Sequence, residues 1–325
     1  MNCIMPRDRG FMISGENSFV IRVPSLTYEE EGGTMNALIA DLIRGGPVLT
    51  DGSWGTQIIK RGLKPRELPD AWNLSHPDKV EEVARSYVDS GSRIILTNTF
   101  GANRFVLGNF GLADQVSEIN IRGIEISRKA AGSRAYVFAS MGPSGKLLAT
   151  GNVTENELAE TFKEQARAIA QAVPDAIIVE TMMDLTEACI AAAAAVETGI
   201  PVSACMVFEA GKLKDRTMMG NTPEQAVEML SGVGVDGVGA NCGQGIEGFI
   251  PICRHMRAAT DLPIWMKANA GLPERVNGEV IYRTTPDEFA ASVPELVRAG
   301  ANFIGGCCGT DEEFIRAIGN VLNNL

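Results

Sequence analysis

Three cysteines stand where this chain could do chemistry. Cys242 closes the apolar run "GVGANC", and the neighbours Cys307 and Cys308 close "NFIGGCC". Two adjacent thiols can form a vicinal disulfide, pack as inert core, or ligate one metal ion. A third thiol from Cys242 would complete a three-thiolate set. Three protein ligands with one exchangeable position is the pattern of catalytic zinc, and soft thiolates favour Zn2+ over magnesium or calcium. On spacing alone the metal site, the inert trio and the redox pair all stay open. The chain has seven cysteines, an odd number that does not suit a disulfide framework. Cys189, Cys205 and Cys253 read as packing residues and Cys3 as a tail thiol. Histidine supplies only His76 and His255, so any metal site must lean on thiolates, carboxylates or amides. His76, just before Pro77, reads as a helix-entry residue.

Two carboxylates share the same kind of position. Asp51 is followed by Gly52 at the end of "PVLTDGS", and reads as either a turn or a site residue. Glu180 ends the otherwise apolar run "AIIVETM", where a buried carboxylate needs a partner.

Eight short apolar runs would position these residues: 47–53, 93–100, 135–142, 176–182, 201–208, 237–242, 263–269 and 302–308. Each reads as a buried parallel strand. Helical patterns lie between them. "PDKVEEVARSYVDSG" sets Val80, Val83, Ala84 and Tyr87 on one face, and "TENELAETFKEQARAIAQA" does so with Leu158, Phe162, Ala166 and Ile169. The alternation predicts an α/β fold, a (β/α)8 TIM barrel in a single domain. A doubly wound sheet is the alternative, weakened because no glycine-rich dinucleotide fingerprint follows the first run. The barrel is expected to span 35–325, after an irregular N-terminal extension over 1–34. In a barrel, chemistry gathers at the C-terminal strand ends. Adjacent strand residues point to opposite faces, so aiming Cys307 and Cys308 at one point requires a kink, which Gly305, Gly306 and Gly309 permit.

Composition excludes some classes. The formal charge, 29 basic minus 40 acidic residues, is −11, which argues against nucleic acid and anionic membrane as partners. No window approaches 18 consecutive apolar residues, and the first residues lack the apolar core of a signal peptide. The expectation is a cytoplasmic protein.

The motifs "DGSWGTQI", "TNTFGAN", "IVET", "GANCGQG", "NAGLP" and "GGCCGT" follow one another, one per strand end. Together they resemble the homocysteine S-methyltransferase family. That family includes the homocysteine-binding domain of cobalamin-dependent methionine synthase and betaine–homocysteine S-methyltransferase. The resemblance spans about 35–325. It implies zinc-dependent methyl transfer to the thiolate of homocysteine, giving methionine. It implies zinc on Cys242, Cys307 and Cys308, with Asn269 in the fourth position when substrate is absent. It implies an amino-acid pocket of Asp51, Gly52, Thr97 and Glu180, in which Glu180 meets the substrate ammonium and backbone N–H groups near Gly52 receive the carboxylate. After "GGCCGT" the family usually has threonine or serine with a proline, and here the chain reads "DEEF". The chain is expected to carry no folate- or corrinoid-binding module of its own after the barrel. The donor stays open between methylcobalamin or methyltetrahydrofolate on a separate corrinoid partner and a small sulfonium or ammonium compound used directly. The alternatives are another thiol acceptor, or a non-catalytic zinc- or thiol-binding subunit of a corrinoid assembly.

Overall fold

The computed structural model describes residues 35–276 and 279–325. The expected irregular extension, 1–34, lies outside the described residues. The strands in chain order are β1 (Val48–Leu49), β2 (Ile94–Ile95), β3 (Tyr136–Met141), β4 (Ala176–Met182), β5 (Val202–Met206), β6 (Gly237–Gly245), β7 (Ile264–Asn269), β8 (Glu274–Val276), β9 (Glu279–Ile281) and β10 (Phe303–Gly306). Eight of them form one parallel sheet in the order β1-β10-β7-β6-β5-β4-β3-β2. Every expected run carries one of these eight strands. The antiparallel pair β8–β9 is an addition that the sequence reading did not foresee.

The curled sheet brings β1 beside β2, where the described residues show no ladder. Arg93 N–H donates to the Leu49 carbonyl at 2.9 Å, and Leu96 N–H donates to Asp51 Oδ2 at 2.7 Å. A side-chain carboxylate thus completes the barrel's closure, which is an α/β TIM barrel as expected.

The helices form for the reasons visible in the chain. Pro77–Asp89 buries Val80, Val83, Ala84 and Tyr87 against the barrel, and Glu155–Gln171 buries Leu158, Phe162, Ala166 and Ile169. Thr154 and Thr222 begin their helices with capping boxes closed by Glu157 and Gln225. In "DEEF", Asp311 caps Glu312–Leu322 by accepting from Glu313 N–H. The acidic residue does the capping work of a threonine or serine. No helix among the described residues is long and apolar enough to cross a membrane.

Alternate strand residues fill the barrel. Phe138, Trp265 and Phe303 are fully buried, with ring centroids 5.7 Å and 4.9 Å apart in succession. Gly239 makes room for this stack, since a Cβ there would stand 2.1 Å from the Trp265 carbonyl oxygen. The helix Ala37–Ile43 brings Ile39 and Leu42 into the same interior cluster, closing the N-terminal end of the barrel. Period-two alternation then fixes the next layer. Two residues beyond Phe138, Ile178 and Trp265 come Ser140, Glu180 and Lys267, all buried at the C-terminal end. The strand period that packs the core also assembles a polar floor above it.

Candidate metal centre

The three cysteines of the opening motifs converge. Their sulfurs all lie within 4.8 Å of one another, and Cys242 Sγ is 3.8 Å from Cys308 Sγ. Two irregular strand ends produce this. On β6 the register with β7 shifts between Asn241 and Gly245, with Cys242 at φ 62° and Gly243 at φ 82°. A left-handed backbone at a non-glycine residue is strained by about 1–3 kcal/mol, and such a bulge re-aims a side chain. After β10 the chain turns at once. Thr310 N–H and Oγ1 both donate to the Cys307 carbonyl, at 3.1 Å and 2.7 Å. Cys307 N–H donates to Ala268 and Ala270 N–H donates to Cys308, pinning the turn to the end of β7.

The glycines divide this work differently from expectation. Of Gly305, Gly306 and Gly309, only Gly309 has a left-handed backbone, at φ 85°. Gly305 and Gly306 serve close approach instead. A Cβ on Gly305 would stand 2.0 Å from Thr50 Oγ1, and one on Gly306 2.2 Å from Thr310 Oγ1.

The donor set fits zinc. Zn–S bonds of about 2.3 Å in a tetrahedron place sulfurs about 3.8 Å apart, the spacing of Cys242 and Cys308. The thiol donors of Cys307 and Cys308 hold Cys242 far below the usual thiol range, and the same contacts with burial push Cys307 and Cys308 up. Asn269 lies buried beside Cys242, and its Oδ1 has no hydrogen-bond partner among the described residues. An orphaned buried acceptor next to three thiols suits a fourth metal ligand.

Beneath the thiols lies a buried charge cluster. Glu180 accepts from Ser140 Oγ at 2.5 Å and from Asn241 Nδ2 at 3.3 Å. Burial raises the Glu180 pKa, with Lys267 opposing the rise. Asp51 is fully buried and already engaged. Its Oδ2 accepts from Trp54 Nε1 and Leu96 N–H, both at 2.7 Å, and its Oδ1 accepts from Lys267 Nζ at 2.5 Å. Burial opposes the Lys267 charge, but Asp51 and Glu180 outweigh it and raise the pKa.

Gly52 and Thr97 sit on the same rim. A Cβ on Gly52 would meet the Tyr87 ring at 2.8 Å, and Tyr87 OH donates to the Ser53 carbonyl, propping this loop. The Thr97 hydroxyl accepts from Ser140 N–H at 3.0 Å and lies 2.6 Å from Thr99 Oγ1, which itself donates to the Ser140 carbonyl. Thr97 therefore donates to Thr99, and its hydroxyl is committed to binding β3.

The remaining cysteines and histidines lie elsewhere. Cys189, Cys205 and Cys253 are buried and free, and burial pushes Cys189 and Cys253 up to about 12. Cys3 lies outside the described residues. His76 enters the helix Pro77–Asp89 and packs on Trp72, while His255 pairs with Glu224 on the surface. Sequence reasoning missed two members of the cluster. Lys267 stands near the end of the apolar run 263–269, and the rule applied to Glu180, a charge closing an apolar run, would have found it. Asn241 donates to Glu180, to Thr181 Oγ1 at 2.7 Å and toward Cys307 Sγ at 3.8 Å, a linking role that no spacing signals.

Comparison with known proteins supplies relatives. The sequence model of a family described as homocysteine S-methyltransferase matches residues 48–322. A methionine synthase of Mycobacterium tuberculosis (strain ATCC 25618 / H37Rv) is 30% identical over 308 residues, covering 88% of this chain and 25% of that protein. A methionine synthase of Mycobacterium leprae (strain TN) is 30% identical over 289 residues, covering 82% of this chain and 24% of that protein. The chain thus spans about a quarter of the length of these relatives. Among solved structures, the homocysteine methyltransferase MmuM from Escherichia coli, in its metallated form, shares the fold. It superposes with a TM-score of 0.73 at 21% identity, over 87% of this chain and 99% of that one.

Proposed function

The chain belongs to the homocysteine S-methyltransferase family, and on that premise we propose that it transfers a methyl group to the thiol of homocysteine, giving methionine. Residues 35–325 are the domain that does this, in the cytoplasm. One observation carries the reading: three thiols converge within 4.8 Å of one another, and Asn241 links them to a buried carboxylate, Glu180. Cys242, Cys307 and Cys308 would hold zinc, and Asn269 would take the fourth position until the acceptor thiol arrives. Zinc bound there supplies the Lewis acidity that keeps an acceptor thiol deprotonated at neutral pH, where a free thiol of pKa about 8.5 is mostly protonated.

The chain's own residues orient the acceptor. Glu180 receives the ammonium, with Ser140 and Asn241 fixing its carboxylate. Asp51 adds negative potential, and its carboxylate is tied to Lys267. Backbone N–H groups near Gly52 take part at the carboxylate end, and Thr97 lines the wall. Methyl transfer removes no proton from carbon, so no general base is needed at the methyl group. The donor is methylcobalamin charged from methyltetrahydrofolate on a separate corrinoid protein, or a small sulfonium or ammonium compound.

The purified protein should hold about one zinc per chain, and Cys242→Ala, Cys307→Ala and Cys308→Ala should each lose most of it. Metal analysis measures the content, and X-ray absorption should count one more sulfur on the metal after homocysteine is added. A Cys308→Ala protein with full zinc and full turnover would remove the proposal.

A further inference from the structure

Lys267 has bonding capacity that the protein does not use. It sits on β7 two residues before Asn269, so its side chain enters the barrel one layer below that amide. It is 2% exposed, and its ammonium has one hydrogen-bond acceptor among the described residues, Asp51 Oδ1. An ammonium carries three donors. Two of them are therefore buried without a protein acceptor, which is costly unless a ligand or solvent takes them. Asp51 cannot swing to serve them, because Trp54 and Leu96 hold its other oxygen.

The obvious internal acceptor is Glu180, yet no ion pair within 4.0 Å joins it to Lys267 among the described residues. The two groups still feel each other's charge, and Cys307 lies within the same field. A buried cation and a buried anion thus stand in one layer of the barrel without closing on each other. A zwitterion would satisfy both, with its ammonium on Glu180 and its carboxylate on Lys267. The charge count agrees. Asp51, Lys267 and Glu180 sum to −1, and a zwitterion of net charge zero gives each unpaired charge a partner. A tail bearing only an ammonium would leave the free donors of Lys267 buried, and one bearing only a carboxylate would leave Glu180 without a counter-ion in contact.

Resting on the acceptor reading above, we infer that Lys267 receives the α-carboxylate of the acceptor thiol and, with Glu180, selects for an α-amino-acid tail. The backbone N–H groups near Gly52 then share this carboxylate with Lys267.

A cycle of ligand and residue deletions tests this by calorimetry on the zinc-loaded protein. Homocysteine, 3-aminopropane-1-thiol (no carboxylate) and 4-mercaptobutyrate (no ammonium) are titrated into wild type and Lys267→Met. A hydrogen bond to a charged group corresponds to about 10- to 100-fold in affinity. Wild type should bind the aminothiol weaker than homocysteine by that factor. Lys267→Met should weaken homocysteine and 4-mercaptobutyrate by a similar factor and leave the aminothiol within about 3-fold, well inside that range. Because Lys267→Met strands the Asp51 charge, Asp51→Asn/Lys267→Met is measured as well and, compared with Asp51→Asn alone, should show the same ligand pattern. Equal weakening of all three ligands, in either variant, overturns the inference. So does an aminothiol that binds wild type as tightly as homocysteine. Wild type that holds zinc but binds no homocysteine overturns the acceptor reading itself, and that result is seen before any variant is made.

Discussion

Glu180 shows how a single residue can be both costly and useful. Its carboxylate is buried, and burial favours the neutral form. Ser140, Asn241 and the more distant Lys267 favour the ion without closing a contact ion pair on it. A carboxylate in that condition gains by meeting a cationic ligand. Glu180→Gln keeps the shape, still accepts from Ser140, and loses the charge. Homocysteine affinity should fall by about 1.5–3 kcal/mol, as for other hydrogen bonds to charged groups, while zinc content stays near one per chain. Calorimetry and metal analysis on one preparation separate the two effects. Unchanged affinity would end the ammonium role, and lost zinc would reassign Glu180 to support of the thiols. Its place at the end of an apolar run made Glu180 legible in the chain. Asp51 was legible as a position but not as a partner, because its bond to Lys267 joins residues 216 apart.

At the scale of the element, the site depends on strands that stop badly. A regular β6 would point Asn241 and Cys242 to opposite faces, and a regular continuation of β10 would do the same to Cys307 and Cys308. The left-handed residues Cys242, Gly243 and Gly309 break that alternation. Gly309 also lies under Tyr282, where a Cβ would come within 2.3 Å of the ring. Gly309→Ala should therefore shift the turn that carries both thiols. Zinc per chain should fall well below one while far-UV circular dichroism keeps its wild-type shape. Full zinc in that variant would mean the turn tolerates the change and the aim of the thiols is set elsewhere. The need for a kink could be read from two adjacent cysteines, and glycine flagged where it is. The bulge on β6 could not be read, since Cys242 has no conformational signature in sequence. Eight apolar runs were enough for the barrel. The β8–β9 pair was hidden because β8 is exposed throughout and offers no buried face to set a period.

Over the whole molecule, the helix Ala37–Ile43 was also missed, because its burial comes from plugging a barrel that exists only after distant strands assemble. The same dependence on assembly governs how the barrel breathes. Seven of the eight neighbour pairs around the barrel are joined by backbone ladders, whereas β1 meets β2 through Arg93 N–H, the Ser92 hydroxyl and the Asp51 carboxylate. The most easily opened joint is therefore held partly by a charge that also anchors Lys267. Asp51→Ala/Lys267→Met removes that acceptor without stranding an ion. Hydrogen exchange at the Leu96 amide should then quicken by about 10-fold or more, the equivalent of losing a bond to a charged acceptor. The Ile177 amide, bonded to the Pro201 carbonyl at 2.8 Å in an intact ladder, should keep its rate. Uniform acceleration at both amides would mean the variant is globally loosened and the joint is not special. The charge that would face the substrate tail in the proposed function is the one that helps shut the β1–β2 joint, so any change at Asp51 alters both at once.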